Sequence, residues 1–240
     1  MKEPIEIDVV FISYAQTEDL KQVTEGAIAS LMNSEESDKI KFNVVVIESE
    51  RSLSPYQYPY SQTVYPEVPF GYHEYLNIGI NMTSAPFICL CNNDLVFHRN
   101  WATEILKPFF QYSDVVSASP FCSIHHPREG YKVNDGLRIG YRIREELLGW
   151  CIFLKRDILK RIGRLDRNLI FWCADNDYGN TLYMMKMPHI LVTSSIVDHL
   201  ESRTLNDQSN ERKLELTDQE TDYFKKKWYP KIGEGWKEID

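Results

Sequence analysis

Residues 86–94 read Pro-Phe-Ile-Cys-Leu-Cys-Asn-Asn-Asp, an apolar run that ends in three polar residues. Apolar runs of this kind are typical of strands that are buried on both faces of a parallel sheet. Similar runs at residues 5–14 and 42–47 predict two further strands. Ligands of open α/β sheets bind at the carboxyl ends of strands, so the polar residues after each run are the first candidates for a site.

Helical patterns alternate with these apolar runs. After Thr17, two acidic residues begin a segment whose apolar positions recur at helical spacing. Gly163 and Pro188 mark the ends of two later helices. We predict further strands at residues 115–119 and 151–154, and helices at residues 17–31, 72–82, 156–162, 175–187 and 218–228. The alternation predicts an α/β protein with a mostly parallel central sheet flanked by helices.

The size and charge of the chain exclude several classes of protein. Its 240 residues, 43% of them hydrophobic, are enough to bury the core of one domain. No stretch approaches the roughly 20 apolar residues that cross a bilayer, and the acidic N-terminus does not resemble a signal peptide. We therefore expect a soluble, cytoplasmic protein. The net charge of -8 argues against sequence-independent binding to nucleic-acid phosphates.

The cysteines and one proline-rich segment predict local features rather than a function. The five cysteines are an odd number without a CxxC pair, which favours reduced, buried thiols over a disulfide framework or a zinc site. Residues 55–70 contain too much proline for regular structure, and their aromatic residues predict a long, ordered loop.

The polar turn after the strand at residues 86–91 has two interpretations. Asp94 can hold a hard cation through its carboxylate and leave other positions on the ion to substrate phosphates. Asn92, Asn93 and Asp94 can also be a simple turn, because Asn and Asp form local hydrogen bonds with the backbone.

Two later segments add candidates with acid–base or metal chemistry. Asp175 and Asp177 lie at the start of a predicted helix, where a carboxylate can cap the helix or act as a general base. His199 follows an apolar segment and is either structural or a metal ligand. The sequence contains neither a GxGxxG nor a GxxxxGK[ST] loop, which argues against an ordinary dinucleotide or ATP enzyme.

The order of these features resembles glycosyltransferase family 2, the inverting enzymes with the GT-A fold. The resemblance covers most of the chain and is cumulative. Residues 71–94 are similar to the stretch that ends in the family's DXD metal motif, whose place Asn92-Asn93-Asp94 takes, with Asn92 in place of the first acid. Residues 154–175 resemble the segment that leads to the Glu-Asp motif, with Ala174 in place of the glutamate.

The resemblance implies a role for each candidate residue. Asp94 and His199 would hold the metal, and Asp175 would be the catalytic base, with Asp177 as its rival. Gly149 and Trp150 would line the acceptor pocket. The residues expected to bind the donor are Ser13, Tyr14, Glu48 in place of the family's aspartate, Asn77, Asn92, Asn93 and Arg203. Residues 199–213 have the composition of a mobile lid over the donor.

The resemblance also implies the reaction. A sugar would pass with inversion from a nucleotide sugar, UDP-sugar by preference, to an acceptor hydroxyl, with Mn²⁺ or Mg²⁺ as cofactor. The acceptor stays open among a glycan, a protein, a metabolite and a hydroxymethylated DNA base, which the acidity of the chain does not favour. The alternative is a non-catalytic or nucleotidyltransferase-like module of the same fold that binds a nucleotide or metal.

The expected organisation is one GT-A domain over residues 1–215. Its nucleotide-binding half would cover about residues 1–98 and its acceptor-binding half about residues 99–215. Residues 216–240 would form a C-terminal helical extension that packs Tyr223, Phe224 and Trp228 on the domain.

Overall fold

The computed structural model describes residues 3–200 and 210–232, with side chains from residue 219 onward in the second segment. Its strands are β1 (Ile5–Ser13), β2 (Ile40–Glu48), β3 (Ser61–Val64), β4 (Phe87–Asn92), β5 (Leu95–Phe97), β6 (Ser117–Phe121), β7 (Leu137–Ile139), β8 (Cys151–Lys155) and β9 (His189–His199). Its helices are α1 (Glu18–Met32), α2 (Tyr72–Asn81), α3 (Trp101–Gln111), α4 (Leu159–Ile162), α5 (Ala174–Met184) and α6 (Asn210–Ile232).

The described strands form one sheet in the order β3-β2-β1-β4-β8-β6-β9-β5, and β7 pairs with β9. The strands β3, β2, β1 and β4 are parallel neighbours, and β6 is parallel to β9. The strand β8 runs antiparallel to both β4 and β6, and β5 and β7 run antiparallel to β9. The two predicted halves therefore share one sheet, and the predicted mostly parallel α/β architecture is confirmed.

Alternation along β1 explains why its sequence is apolar throughout. Val9 and Phe11 belong to a core cluster that includes residues of α1 and α3. Val10 and Ile12 face the opposite side, in a cluster that includes residues of α2 and α5. Because successive side chains of a strand point to opposite faces, a strand covered by helices on both sides needs apolar residues at every position.

The sequence patterns located the central strands to within about two residues but missed other elements. The helix α3 was not predicted, and Pro108 in its last turn is a residue that argues against a helix. The strands β3, β5, β7 and β9 were not predicted either, and β3 lies inside the segment expected to be a loop. The short strands carry too few residues for a period to appear.

The C-terminal helix packs on the domain as expected, although it is longer than predicted. The predicted start at residue 218 is wrong, because α6 begins at Asn210, so the predicted boundary between residues 215 and 216 falls inside the helix. Phe224 and Trp228 are buried against Leu169 and Ala174. Among the described residues, none of the helices combines the length and the apolar character needed to cross a bilayer.

Two helical glycines give a matched test of this packing. An added Cβ at Gly79 of α2 would lie 2.3 Å from Cγ1 of Val10, whereas one at Gly26 of α1 would meet nothing within 4 Å. We expect Gly79→Ala to lower the free energy of unfolding by about 1–3 kcal/mol, because a buried β-branched side chain must shift. Gly26→Ala should raise it by up to about 1 kcal/mol through helix propensity. Urea unfolding of both variants checks this, and equal effects would contradict the packing of α2 on β1.

Candidate active site

The carboxyl ends of three central strands meet at one edge of the sheet. Ser13 at the end of β1 is the register partner of Glu48 at the end of β2, and Ile12 is the partner of Asn92 at the end of β4. The backbone N–H of Asn92 donates to the carbonyl of Trp150 at 3.0 Å, just before β8 begins. The structure therefore brings together four segments that the sequence proposed for the site.

Asp94 and His199 form the polar centre of this edge. The strand β5 pairs with β9 so that Leu95 faces His199, and the N–H of Leu200 donates to the carbonyl of Asp94 at 2.9 Å. The Oδ1 atom of Asp94 lies 3.1 Å from Nε2 of His199. Both atoms are buried and have no hydrogen-bond partner among the described residues. A carboxylate oxygen and an imidazole nitrogen left in this way form a donor set that fits a divalent cation.

Trp150 orients the histidine of this pair. Its ring is stacked on His199, with centroids 4.7 Å apart and an angle of 7° between the planes. The edge of His125 approaches the same indole, with centroids 5.6 Å apart. The indole Nε1 atom is buried and has no hydrogen-bond partner among the described residues. His199 therefore covers one face of Trp150.

Tyr72 connects the turn after β4 to the segment before β8. Its hydroxyl oxygen lies 3.0 Å from Oδ1 of Asn92 and 3.0 Å from the carbonyl of Gly149. One hydroxyl hydrogen cannot serve two acceptors fully, so the amide of Asn92 is better oriented with its NH₂ donating to Tyr72, which then donates to Gly149. Burial raises the pKa of Tyr72, and the nearby Asp175 raises it further, so the hydroxyl stays protonated.

Asp175 lies in the first turn of α5, against the backbone of Gly149. A Cβ added at Gly149 would lie 2.7 Å from both Cβ and Oδ2 of Asp175, so glycine is needed for this close approach. Cys173, the residue before α5, has the left-handed φ of 58°, an uncommon conformation that turns the chain into the helix here. Although Asp175 keeps some exposed surface, burial by the protein around it raises the pKa of its carboxyl, an effect that the hydrogen bond from the N–H of Asn176 opposes first and the charge of Arg144 opposes less.

Asp177, the rival carboxylate, is occupied by the C-terminal helix. Its Oδ1 atom accepts a hydrogen bond from the indole N–H of Trp228 at 2.7 Å. Lys227 Nζ lies 2.6 Å from the same oxygen and 2.7 Å from Oδ2 of Asp166. Asp177 is buried in this contact, which joins α5 to α6.

Three solved structures share this architecture at low sequence identity. GalNAc-T7 with UDP, GalNAc and Mn²⁺ matches 97% of this chain and 53% of its own, with 12% identity and a TM-score of 0.65. The mannosyltransferase PcManGT from Pyrobaculum calidifontis, in complex with GDP-Man and Mn²⁺, matches 85% and 59%, with 16% identity and a TM-score of 0.59. Glucosyl-3-phosphoglycerate synthase from Mycobacterium tuberculosis, with Mn²⁺, UDP-Glc and phosphoglyceric acid, matches 92% and 78%, with 14% identity and a TM-score of 0.57. The chain has the GT-A fold.

Comparison of the amino-acid sequence, in contrast to comparison of the structure, found no match. No protein-family model matches it, and neither does any of the curated proteins searched. The chain spans 53% and 59% of the first two of these structures, so the likeness concerns the GT-A fold and not the whole of those proteins.

Glu48 at the GT-A sheet edge is fully engaged by the protein itself. Its side chain accepts hydrogen bonds from the N–H groups of Ala15 and Glu50, at 3.1 Å and 2.7 Å, and from the hydroxyl of Tyr58 at 2.7 Å. The residue has no exposed surface. Glu48 therefore ties the segments after β1 and β2 together, and the expectation that this carboxylate faces a nucleotide base does not agree with its burial.

Ser13 and Asn93 join this internal network. The amide of Asn93 donates to Oγ1 of Thr24 at 2.8 Å, and Oγ of Ser13 lies 2.9 Å from the same oxygen. The hydroxyl of Tyr58 lies 3.4 Å from Oγ of Ser13. Sequence reasoning missed Thr24, Tyr58 and Tyr72. The tyrosine-rich composition of residues 55–70 was a signal for Tyr58.

Tyr14, Asn77 and Arg203 are the other residues that were predicted to bind the donor. Tyr14 is half-buried directly after β1, at the same edge of the sheet. Both polar atoms of the Asn77 amide bond the backbone of Leu165, at 2.9 Å and 3.1 Å, so Asn77 joins α2 to the segment after α4 rather than presenting its amide to a ligand. Arg203 and most of the predicted lid lie outside the described residues.

The part played by Tyr72 can be tested against a second tyrosine of α2. Tyr75 donates one hydrogen bond to the carbonyl of Val68, at 3.2 Å. We expect Tyr72→Phe and Tyr75→Phe each to cost about 0.5–1.5 kcal/mol of stability, because each removes the hydrogen bonding of a partly buried hydroxyl. Only Tyr72→Phe should speed hydrogen–deuterium exchange at the N–H of Asn92, which mass spectrometry of peptides can measure. Equal exchange in the two variants would contradict the bridging role of Tyr72.

Proposed function

We propose that this protein is a metal-assisted glycosyltransferase that moves a sugar from a nucleoside diphosphate sugar to an acceptor hydroxyl, with inversion. The observation that carries the proposal is the buried contact of 3.1 Å between Asp94 Oδ1 and His199 Nε2, at the carboxyl edge of a GT-A sheet. The three similar structures contain Mn²⁺ together with UDP or a nucleotide sugar, which supports the same class of ligands here.

Asp94 and His199 are the proposed ligands of a Mn²⁺ or Mg²⁺ ion. Both side chains are nearly buried, and the two unpaired atoms lie 3.1 Å apart. When bound, such an ion neutralises charge on the leaving diphosphate as a Lewis acid. Trp150 holds the plane of the His199 ring by stacking, with the nitrogen beside the carboxylate of Asp94. Trp150 thus acts as a positioning residue, and its free indole N–H is the group we assign to contact with the acceptor or donor.

Asp175 is the proposed general base. Its side chain packs against Gly149, the residue before Trp150, and we place the acceptor hydroxyl beside this carboxylate. The raised pKa of its carboxyl makes it a stronger base than an exposed aspartate, and the proton of the acceptor hydroxyl would move to this carboxylate. Asp177 is proposed to be structural, because Trp228 and Lys227 already occupy its carboxylate.

The segments after β1 and β2 are proposed to shape the donor site. Ser13 and Asn93 contact the middle of α1 through Thr24, and Glu48 holds the two segments together through Ala15 and Tyr58. Of the residues predicted to bind the donor, Tyr14 and Asn92 are partly exposed at the carboxyl edge of the sheet. We also propose Arg203 as a phosphate contact. We propose a uridine diphosphate sugar as donor, since two of the three similar structures contain UDP or UDP-Glc.

The donor proposal predicts a metal-dependent response to nucleotide sugars. A panel of UDP- and GDP-sugars with Mn²⁺ should raise the thermal midpoint for at least one donor and release nucleoside diphosphate, because a ligand that binds only the folded state stabilises it. Asp94→Ala should abolish the effect of Mn²⁺ on donor binding. Thermal shift and diphosphate release are the measurements.

The matched control for this experiment is Asp166→Asn, which removes a carboxylate charge where Asp166 meets Lys227. This variant should keep the metal-dependent donor response. A wild-type protein that responds to no donor would overturn the proposed function and leave a non-catalytic module of the GT-A fold. Donor affinity that is the same with and without metal would instead count against Asp94 as a ligand.

The two carboxylates of α5 give a second test. We expect Asp175→Asn to keep donor binding and to lower the rate of transfer by about 10²- to 10⁴-fold, because general base catalysis is lost. Asp177→Asn should lower stability and leave the rate per folded molecule nearly unchanged. Steady-state rates and urea unfolding of both variants check this. Loss of transfer in Asp177→Asn alone would reverse the assignment of the base.

A further inference from the structure

Three cysteines meet in the core beneath the candidate active site. Cys89 and Cys91 lie two residues apart on β4, so their side chains point to the same face of the sheet. The antiparallel partner of Cys91 is Cys151, the first residue of β8. Although the spacing of these residues along the chain shows no metal-binding pattern, the register of two strands brings the three thiols together.

The distances between the sulfur atoms are those of a small coordination site. The Sγ atom of Cys89 lies 3.3 Å from that of Cys91 and 3.7 Å from that of Cys151. All three sulfur atoms lie within 4.8 Å of one another. Three sulfur ligands at about 2.3 Å from one ion would lie about 4.0 Å apart in a trigonal arrangement. An ion could therefore be accepted with side-chain adjustments of a few tenths of an ångström.

The type and surroundings of these ligands indicate which class of metal ion the three thiols could bind. All three cysteines have zero exposure and share their core cluster with apolar neighbours such as Val9, Phe11 and Phe153. Thiolates are soft ligands that prefer Cu(I) and Zn²⁺, whereas Mg²⁺ and Mn²⁺ prefer oxygen. The thiol cluster and the pair of Asp94 and His199 therefore favour different ions.

We propose that Cys89, Cys91 and Cys151 bind one thiophilic metal ion, Zn²⁺ or Cu(I), at a structural site separate from the catalytic edge. Each thiol that becomes a ligand releases its proton to solvent, and no electron transfer is involved. Since the cluster has no exposed surface, the ion would enter while the chain folds. The bound ion would clamp β4 to β8 directly below Asn92 and Trp150, the residues that follow Cys91 and precede Cys151.

The test is metal uptake during refolding of the full chain. Protein denatured with a chelator and a phosphine reductant is freed of chelator and refolded with ZnCl₂, or anaerobically with Cu(I) buffered by bicinchoninate. Bound metal is then measured by mass spectrometry after gel filtration. We expect one ion per chain from one of the two arms, a higher thermal midpoint with metal, and loss of that ion in Cys89→Ala and Cys151→Ala.

Two controls separate this site from others. Cys122→Ala makes the same change at another cysteine with zero exposure and should keep the ion. Asp94→Ala should also keep it, which separates this result from the fate of the proposed catalytic metal. Refolding the unaltered chain with Cd²⁺ should give thiolate-to-metal charge-transfer absorption, a readout that needs no variant to fold. Absence of that absorption, or a metal content that the cysteine substitutions do not change, would overturn the proposal.

Discussion

The antiparallel pairing of β5 with β9 sets the chemistry of the whole sheet edge. It places Leu95 opposite His199 and so brings Nε2 of His199 within 3.1 Å of Oδ1 of Asp94. Neither atom has a hydrogen-bond partner in the part of the chain that the structure describes, and buried polar atoms left in this way are costly, so the surrounding structure must hold them in place. The stacking of Trp150 on His199 does this from one side, and the backbone bond from Leu200 to Asp94 does it from another. An ion between the two atoms would remove the cost, which is the physical argument for a metal centre.

The C-terminal helix decides how the two acidic residues of α5 are used. Trp228 and Lys227 both bind Oδ1 of Asp177, and this contact attaches α6 to the domain. Asp175, two residues earlier, lies instead against Gly149. Enclosure by the protein raises the pKa of the Asp175 carboxyl, so it holds a proton more readily than an exposed aspartate. The same helix turn therefore carries one carboxylate held by α6 and one beside Gly149, and the second is the one we propose as the base.

The sequence predicted which residues lie at the ends of the strands, but it did not predict the contacts that their side chains make. The apolar runs located Ser13, Glu48 and Asn92 at the carboxyl edge, because burial on both faces leaves a clear pattern in the sequence. The pattern contains no information about Tyr58, which arrives from a separate segment and bonds the carboxylate of Glu48. Likewise, Trp150 was expected to face an acceptor, and its stacking on His199 depends on how β8 and β9 lie in the sheet.

The sequence by itself determined the α/β class, the buried central strands and the placement of polar residues at their ends. These features follow from periodicity and from local backbone preferences, which act over a few residues. Only the tertiary structure decided which distant side chains meet, as in the pair of Asp94 and His199, the contact of Asp177 with Trp228, and the cluster of Cys89, Cys91 and Cys151. The reason is that strand order and register, which come from the packing of the whole sheet, join residues that are far apart in the chain.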